Sequence, residues 1–226
     1  MKGLLRSAIV LLLFAWVGIA NADTHTAIVT DVTKIPLDFQ GSGPTVQDTW
    51  YENSATQFAL LARTRTPELA SPVLYSDIHN VCQFQVAVQN TKTPNDRTYG
   101  IIVRIYAAVD DTDSGPSGDP LVLADTGPDF LVTSDSNAWL VTFTVQGDCP
   151  EWDPNTITFP DASSQMGNWL SVMYQGDASG PNEDNATHTA NGPADPLSSY
   201  FFSVDDRMMR TWPLDGQWGF YLIVAE

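Results

Sequence analysis

The densest run of hard-metal ligands in the chain is Asp110-Asp111-Thr112-Asp113-Ser114-Gly115-Pro116-Ser117-Gly118-Asp119. Ca²⁺ takes about six to eight oxygen ligands, and closely spaced Asp separated by Gly turns can wrap several round one ion. Crowded carboxylates also repel one another until a cation or water screens them. Asp110, Asp111, Asp113 and Asp119 are therefore the candidate metal ligands, with calcium as the candidate cofactor. From Asp111 the stretch begins like an EF-hand loop, but its Gly comes one position early and no Glu stands at the twelfth. The competing reading is a solvated hairpin loop in an acidic protein. Asp205-Asp206 is a second, weaker pair that an ordinary turn explains equally well.

Aromatic rings are the second chemistry-bearing set. Flat rings with a polar edge can stack on sugar faces. Trp50, Tyr51, Trp152 and Trp212 lie near turns and are the candidate ligand contacts. Trp139 shares strand parity with Val141, Phe143 and Val145, and Trp218 with Phe220, Leu222 and Val224, so both read as core. Trp169 shares parity with Ser171 and Met173, which leaves its face open.

Catalytic constellations are sparse. No G-x-S-x-G and no H-E-x-x-H occurs, and the only histidines are His25, His79 and His188. Glycoside hydrolysis needs two carboxyls about 5–9.5 Å apart. Glu52, Glu68, Glu151 and Glu183 all fall near turns, and the 22 Asp leave the choice unconstrained. Asn185-Ala186-Thr187 is a formal N-glycosylation sequon.

Cys82 and Cys149 are the only cysteines, so one disulfide between them is expected; the alternative, a reactive or metal-binding thiol, has no His or second Cys at ligand spacing to support it. Cys82, Phe84, Val86 and Val88 alternate with Gln83, Gln85 and Gln89, the period of a half-buried strand with Cys82 turned inward. Cys149 follows a strand within Gln146-Gly147-Asp148-Cys149-Pro150.

These residues need a framework of strands. Asp outnumbers Glu 22 to 5, and Gly and Pro number 15 each. Asp favours caps and turns where Glu favours helices. Candidate strands are 25–31, 73–75, 81–89, 99–108, 120–125, 130–133, 138–145, 169–174, 200–205 and 218–225. Turn signals such as Thr93-Pro94-Asn95-Asp96, Thr126-Gly127-Pro128-Asp129 and Leu214-Asp215-Gly216 separate most of them. Residues 57–63 fit one helical turn or another strand. Residues 176–196, rich in Asp, Asn, Gly, Ala and Pro, read as a long exposed loop. The pattern predicts an all-β protein, a jelly-roll-like antiparallel β-sandwich.

Residues 1–22 have the form of a secretory signal peptide. Lys2 and Arg6 precede a 13-residue apolar run, Ala8 to Ala20, and Ala20-Asn21-Ala22 fits the cleavage pattern. Spanning a bilayer takes about 20 apolar residues. The expectation is a single domain over 23–226, secreted to periplasm or medium, with nothing holding it in a membrane after cleavage. Hydrophobic residues at 43% exclude a disordered chain, and a net charge of −17 disfavours nucleic acid or anionic lipid.

Three stretches carry a family resemblance. They are Ile101-Ile102-Val103-Arg104-Ile105-Tyr106 with the following Gly115 to Val122; Trp139 to Phe143 with Asn168 to Val172; and Tyr200-Phe201-Phe202-Ser203 through Trp212 to Tyr221. In that order the chain from about Gln57 to Glu226 resembles secreted bacterial choice-of-anchor modules, which are similar to carbohydrate-binding jelly rolls. The resemblance implies a sandwich fold and an extracellular setting, and it carries no catalytic residues. With no sorting tail after Glu226, attachment to a cell surface is not expected. The expected function is a secreted, non-catalytic binding or structural module whose partner is an extracellular glycan or a surface protein. The alternatives are a jelly-roll glycoside hydrolase and a subunit of an extracellular assembly.

Overall fold

The computed structural model describes residues 24–36, 49–52, 57–60, 68–88, 97–106, 115–116, 118–133, 137–175, 188–191, 200–203, 207–211 and 223–225. Every regular element among them is a strand. In chain order they are β1 (His25–Pro36), β2 (Thr49–Glu52), β3 (Gln57–Leu60), β4 (Leu69–Leu74), β5 (His79–Asn80), β6 (Gln83–Val88), β7 (Thr98–Tyr106), β8 (Pro120–Asp125) and β9 (Leu131–Val132). They continue as β10 (Asn137–Val145), β11 (Glu151–Trp152), β12 (Asn155–Thr158), β13 (Ser164–Gln175), β14 (His188–Asn191), β15 (Tyr200–Ser203), β16 (Met208–Thr211) and β17 (Ile223–Ala225). The expected signal peptide lies outside the described residues.

Thirteen strands form one sheet in the order β16-β15-β4-β13-β7-β8-β1-β10-β6-β17-β2, with β12 on β13 and β9 on β7. Two short ribbons, β11–β5 and β14–β3, stand beside it. The all-β expectation holds. The antiparallel expectation needs correction, because β1 runs parallel to β8 (His25↔Val122, Ala27↔Ala124) while pairing antiparallel with β10. The sheet is therefore mixed. Register shifts at Val29/Asp31 in β1 and Ile105/Tyr106 in β7 add local twist and help it curl.

Curling brings distant strands onto one core. Tyr99, Ile101, Val103 and Ile105 alternate along β7 and are fully buried. They share a cluster with Leu170 and Val172 of β13, Val122 and Ala124 of β8, Phe84, Val86 and Val88 of β6, and Val141, Phe143 and Val145 of β10. Phe84 and Phe143 stack at 5.0 Å across β6 and β10. At about 25 cal/mol per Å² of apolar surface, this burial is the main force holding the sheet curled. The reverse side of β4, β13 and β7 carries a smaller cluster of Ala70, Tyr106, Ile157, Phe159, Trp169 and Phe202. That settles the face of Trp169.

The Thr126–Asp129 turn forms as expected. Gly127 has φ 78° and its amide donates to Asp125 Oδ1 at 2.8 Å. Gly100 is required opposite it, since a Cβ there would sit 1.7 Å from the Gly127 carbonyl oxygen. The two segments left open or read as loop meet each other: β3, from 57–63, pairs with β14, from 176–196 (Gln57↔Asn191, Leu60↔His188). The long-loop expectation is thus corrected at His188–Asn191, which also lie against β6.

Candidate functional site

The disulfide is present: Cys82 and Cys149 are bonded, with Cα atoms 4.7 Å apart. It sits where one ladder hands over to another. On one side β6 pairs with β10, and the Val145 amide donates to the Cys82 carbonyl at 2.8 Å. On the other side the Val81 amide donates to the Pro150 carbonyl at 2.9 Å, and β5 pairs with β11 (Asn80↔Glu151, His79↔Trp152). The staple therefore fixes a two-residue ribbon that could not hold itself.

That ribbon carries an aromatic cluster. Trp50 of β2 stacks on His79 with centroids 4.1 Å apart and planes 9° from parallel. Trp50 also meets Tyr75 edge-on at 5.0 Å and Trp152 at 6.2 Å. Its Nε1–H donates to the Asn80 carbonyl at 3.2 Å. Beneath it Trp152 is fully buried and donates from Nε1 to the Tyr106 carbonyl at 2.6 Å. The Tyr75 hydroxyl donates to the Trp152 carbonyl at 3.3 Å, and Asn168 Nδ2 donates to that hydroxyl at 2.5 Å and to the Asp153 carbonyl at 2.7 Å. Burial pushes the Tyr75 phenol far above its ordinary value; the Asn168 bond opposes this and the nearby Asp153 charge adds to it. Tyr75 therefore stays protonated and keeps its donor bond.

Trp50 and His79 are half-buried, and the residues next to the cluster in the chain are open: Ser76, Asp77, Ile78, Asn80, Glu151 and Asp153 are all exposed. Ile78 is 54% exposed. The arrangement is a rigid aromatic stack with an apolar neighbour and a polar, acidic rim. The stack covers one face of each ring; the ring surface that remains accessible can offer dispersion contact to a ligand, with the exposed carboxylates as hydrogen-bond acceptors.

Of the residues expected to touch a ligand, the structure brings together Trp50 and Trp152. Trp152 is a core residue, however, and its expected exposure is corrected. Its indole reaches inward to β7, which its place after a Pro turn did not suggest. Tyr51 follows in β2, paired with Val224, and Trp212 lies outside the described residues. Trp139, expected in the core, is half-buried on its margin; Nε1 donates to the Val132 carbonyl at 3.0 Å and the Lys34 ammonium lies 5.4 Å from the ring centroid. Sequence reasoning missed Tyr75, His79 and Asn168, which join the cluster only through contacts between residues far apart in the chain.

Asp110, Asp111 and Asp113 lie outside the described residues, and Asp119 is exposed at the entry to β8. Among the described residues no three His, Cys, Asp or Glu gather as a metal site. The loop is anchored at its middle. Gly115 is buried where a Cβ would meet the Phe202 ring, and Arg207 lies over that ring while donating from Nη1 to the Pro116 carbonyl.

A second polar cluster was also missed. Glu68 is buried. Its Oε2 accepts from Arg104 Nη1 at 2.5 Å, and its Oε1 accepts from the Tyr106 hydroxyl at 2.5 Å and the Ser171 hydroxyl at 2.6 Å. Burial, reinforced by the bond to Glu68, raises the Tyr106 phenol well above its ordinary value. With three donors on one carboxylate, this cluster is satisfied within the fold.

Comparison with family models, curated proteins and solved structures finds no match to this chain. Among the described residues no helix is long and apolar enough to cross a membrane.

Proposed function

We propose that the chain is an exported, non-catalytic binding module that takes a glycan on the Trp50–His79 face. The observation that carries this reading is the parallel stack of Trp50 on His79, locked from below by Tyr75 and Trp152 and rimmed by exposed Asp77, Asn80, Glu151 and Asp153. A sugar offers an apolar face of C–H groups and a rim of hydroxyls, and this surface is complementary to both. Immobilised rings lose little freedom on binding, which favours affinity. The disulfide supports export, because such bonds persist in oxidising compartments. A core shared between β7, β8, β13 and β6, β10 supports a jelly-roll-like sandwich of the choice-of-anchor kind.

The reading is tested by a glycan array with the chain from residue 23, followed by titration of the best ligand against Trp50→Ala. The variant is expected to bind about tenfold more weakly or worse, a loss of about 1.4 kcal/mol, while retaining a cooperative melt. Equal affinity in wild type and variant, or no glycan bound at all, would contradict it.

The Asp110–Asp119 loop is a separate candidate for calcium. Millimolar Ca²⁺ is expected to raise the melting temperature and a chelator to lower it. Asp111→Ala combined with Asp113→Ala should abolish that response; an unchanged response would remove the site.

A further inference from the structure

The topology round β1 points to a second kind of contact, between copies of this chain. β1 lies between β8 and β10, yet it forms no hairpin with either. The next described strand in sequence, β2, is at the far edge of the sheet beyond β10, β6 and β17. The backbone tie from β1 to the strands that follow it is residues 37–48, a stretch that can reach roughly 40 Å when extended. That is about the diameter of a domain of this size.

Many of the described side chains of β1 face outward. Among its described side chains Ala27 and Ile35 are buried and Val29 packs half-buried against the core, whereas Ile28 and Val32 are 46% and 36% exposed. The walls of its groove are the opposite. Val122 and Ala124 of β8 and Val141, Phe143 and Val145 of β10 are all buried core. The strand is held by two backbone ladders, by Ala27, Val29 and Ile35, and by side-chain contacts such as Thr30 Oγ1 to Thr144 Oγ1 at 2.9 Å. Withdrawn, it would leave two open strand edges lined with apolar side chains, a surface that seeks another strand.

We infer that β1 is an exchangeable strand: the groove between β8 and β10 of one copy accepts β1 of a second copy. The occupant is specified by the fold itself, since the same twelve residues already fit the groove in register. Exchange leaves the ladders and buried surface unchanged, so its cost is the association entropy and the charge repulsion between copies. With −17 on each chain, that repulsion is strong at low ionic strength and screened at high. Exchange should therefore rise with salt and with protein concentration.

The test uses register partners. Ile28 and Thr144 lie directly opposite in the β1–β10 ladder, where facing Cβ atoms are about 4.5–5.5 Å apart, close enough to bridge. Chains carrying Ile28→Cys alone and Thr144→Cys alone are mixed, loosened in mild denaturant, returned to high salt and oxidised. The expected product is a covalent heterodimer at twice the mass of the single chain used, with positions 28 and 144 joined in its peptide map and its yield reduced at low salt. The double variant in one chain is the control and should close internally. Internal closure of the double variant with no heterodimer from the mixture would overturn exchange. So would dimers joined only through like positions, or a double variant that fails to close.

Discussion

Replacing Glu68 by alanine is expected to destabilise the fold by about 3–5 kcal/mol, the range for breaking a buried ion pair from one side. The buried hydroxyls of Tyr106 and Ser171 would both lose their acceptor, at about 1–3 kcal/mol each. Arg104 would lose its counter-ion, but its side chain is 30% exposed and water recovers part of that loss. In a chain of this length 1 kcal/mol shifts the melting temperature by about 2–4 °C. The expected fall is therefore about 6–20 °C by circular dichroism. Glu68→Gln keeps one acceptor oxygen and should cost less. A fall of under ~2 °C for the alanine variant would show that the carboxylate does not organise this region.

Replacing Cys82 and Cys149 together by alanine is the other large effect. The bridge joins residues 67 apart, and on the chain-entropy model its loss frees the unfolded chain by roughly 4 kcal/mol. The consequence should also be local. β5 and β11 pair through two residues each and depend on the staple for their alignment. His79 and Trp152 belong to that ribbon, so the stack with Trp50 should loosen before the main sheet does. Under reductant, tryptophan fluorescence and near-ultraviolet dichroism are expected to change while the far-ultraviolet β signal persists. Simultaneous loss of both would mean that the ribbon is not a separately held unit.

The strand framework was legible where one local rule decided the outcome. β8 falls on Pro120–Asp125 as its turn signals indicated, and period-2 alternation placed Phe84, Val86 and Val88 in the core. The cysteine pairing followed from there being only two. Legibility failed where both faces of a strand are covered. Gln85 looked solvent-facing, but it is buried and donates to Thr142 Oγ1 at 2.9 Å, and β14 lies against β6. Trp152 misled for a related reason: a turn position says where the backbone runs, whereas its indole crosses to the Tyr106 carbonyl 46 residues away. The site was legible only in Trp50. His79 and Tyr75 have no spacing that marks them, since they meet Trp50 through the handover of one ladder to another at the disulfide. The parallel β1–β8 pair was equally hidden, as strand direction depends on connections that alternation does not encode.

The most direct test of the binding account is heteronuclear NMR of the chain titrated with the best oligosaccharide from the array, following the Trp50 indole N–H and the His79 ring. The account predicts saturable shifts at both, spreading to Ile78 and Asn80 and absent from the Glu68 cluster. Saturable shifts centred elsewhere, with Trp50 and His79 unmoved, would contradict it.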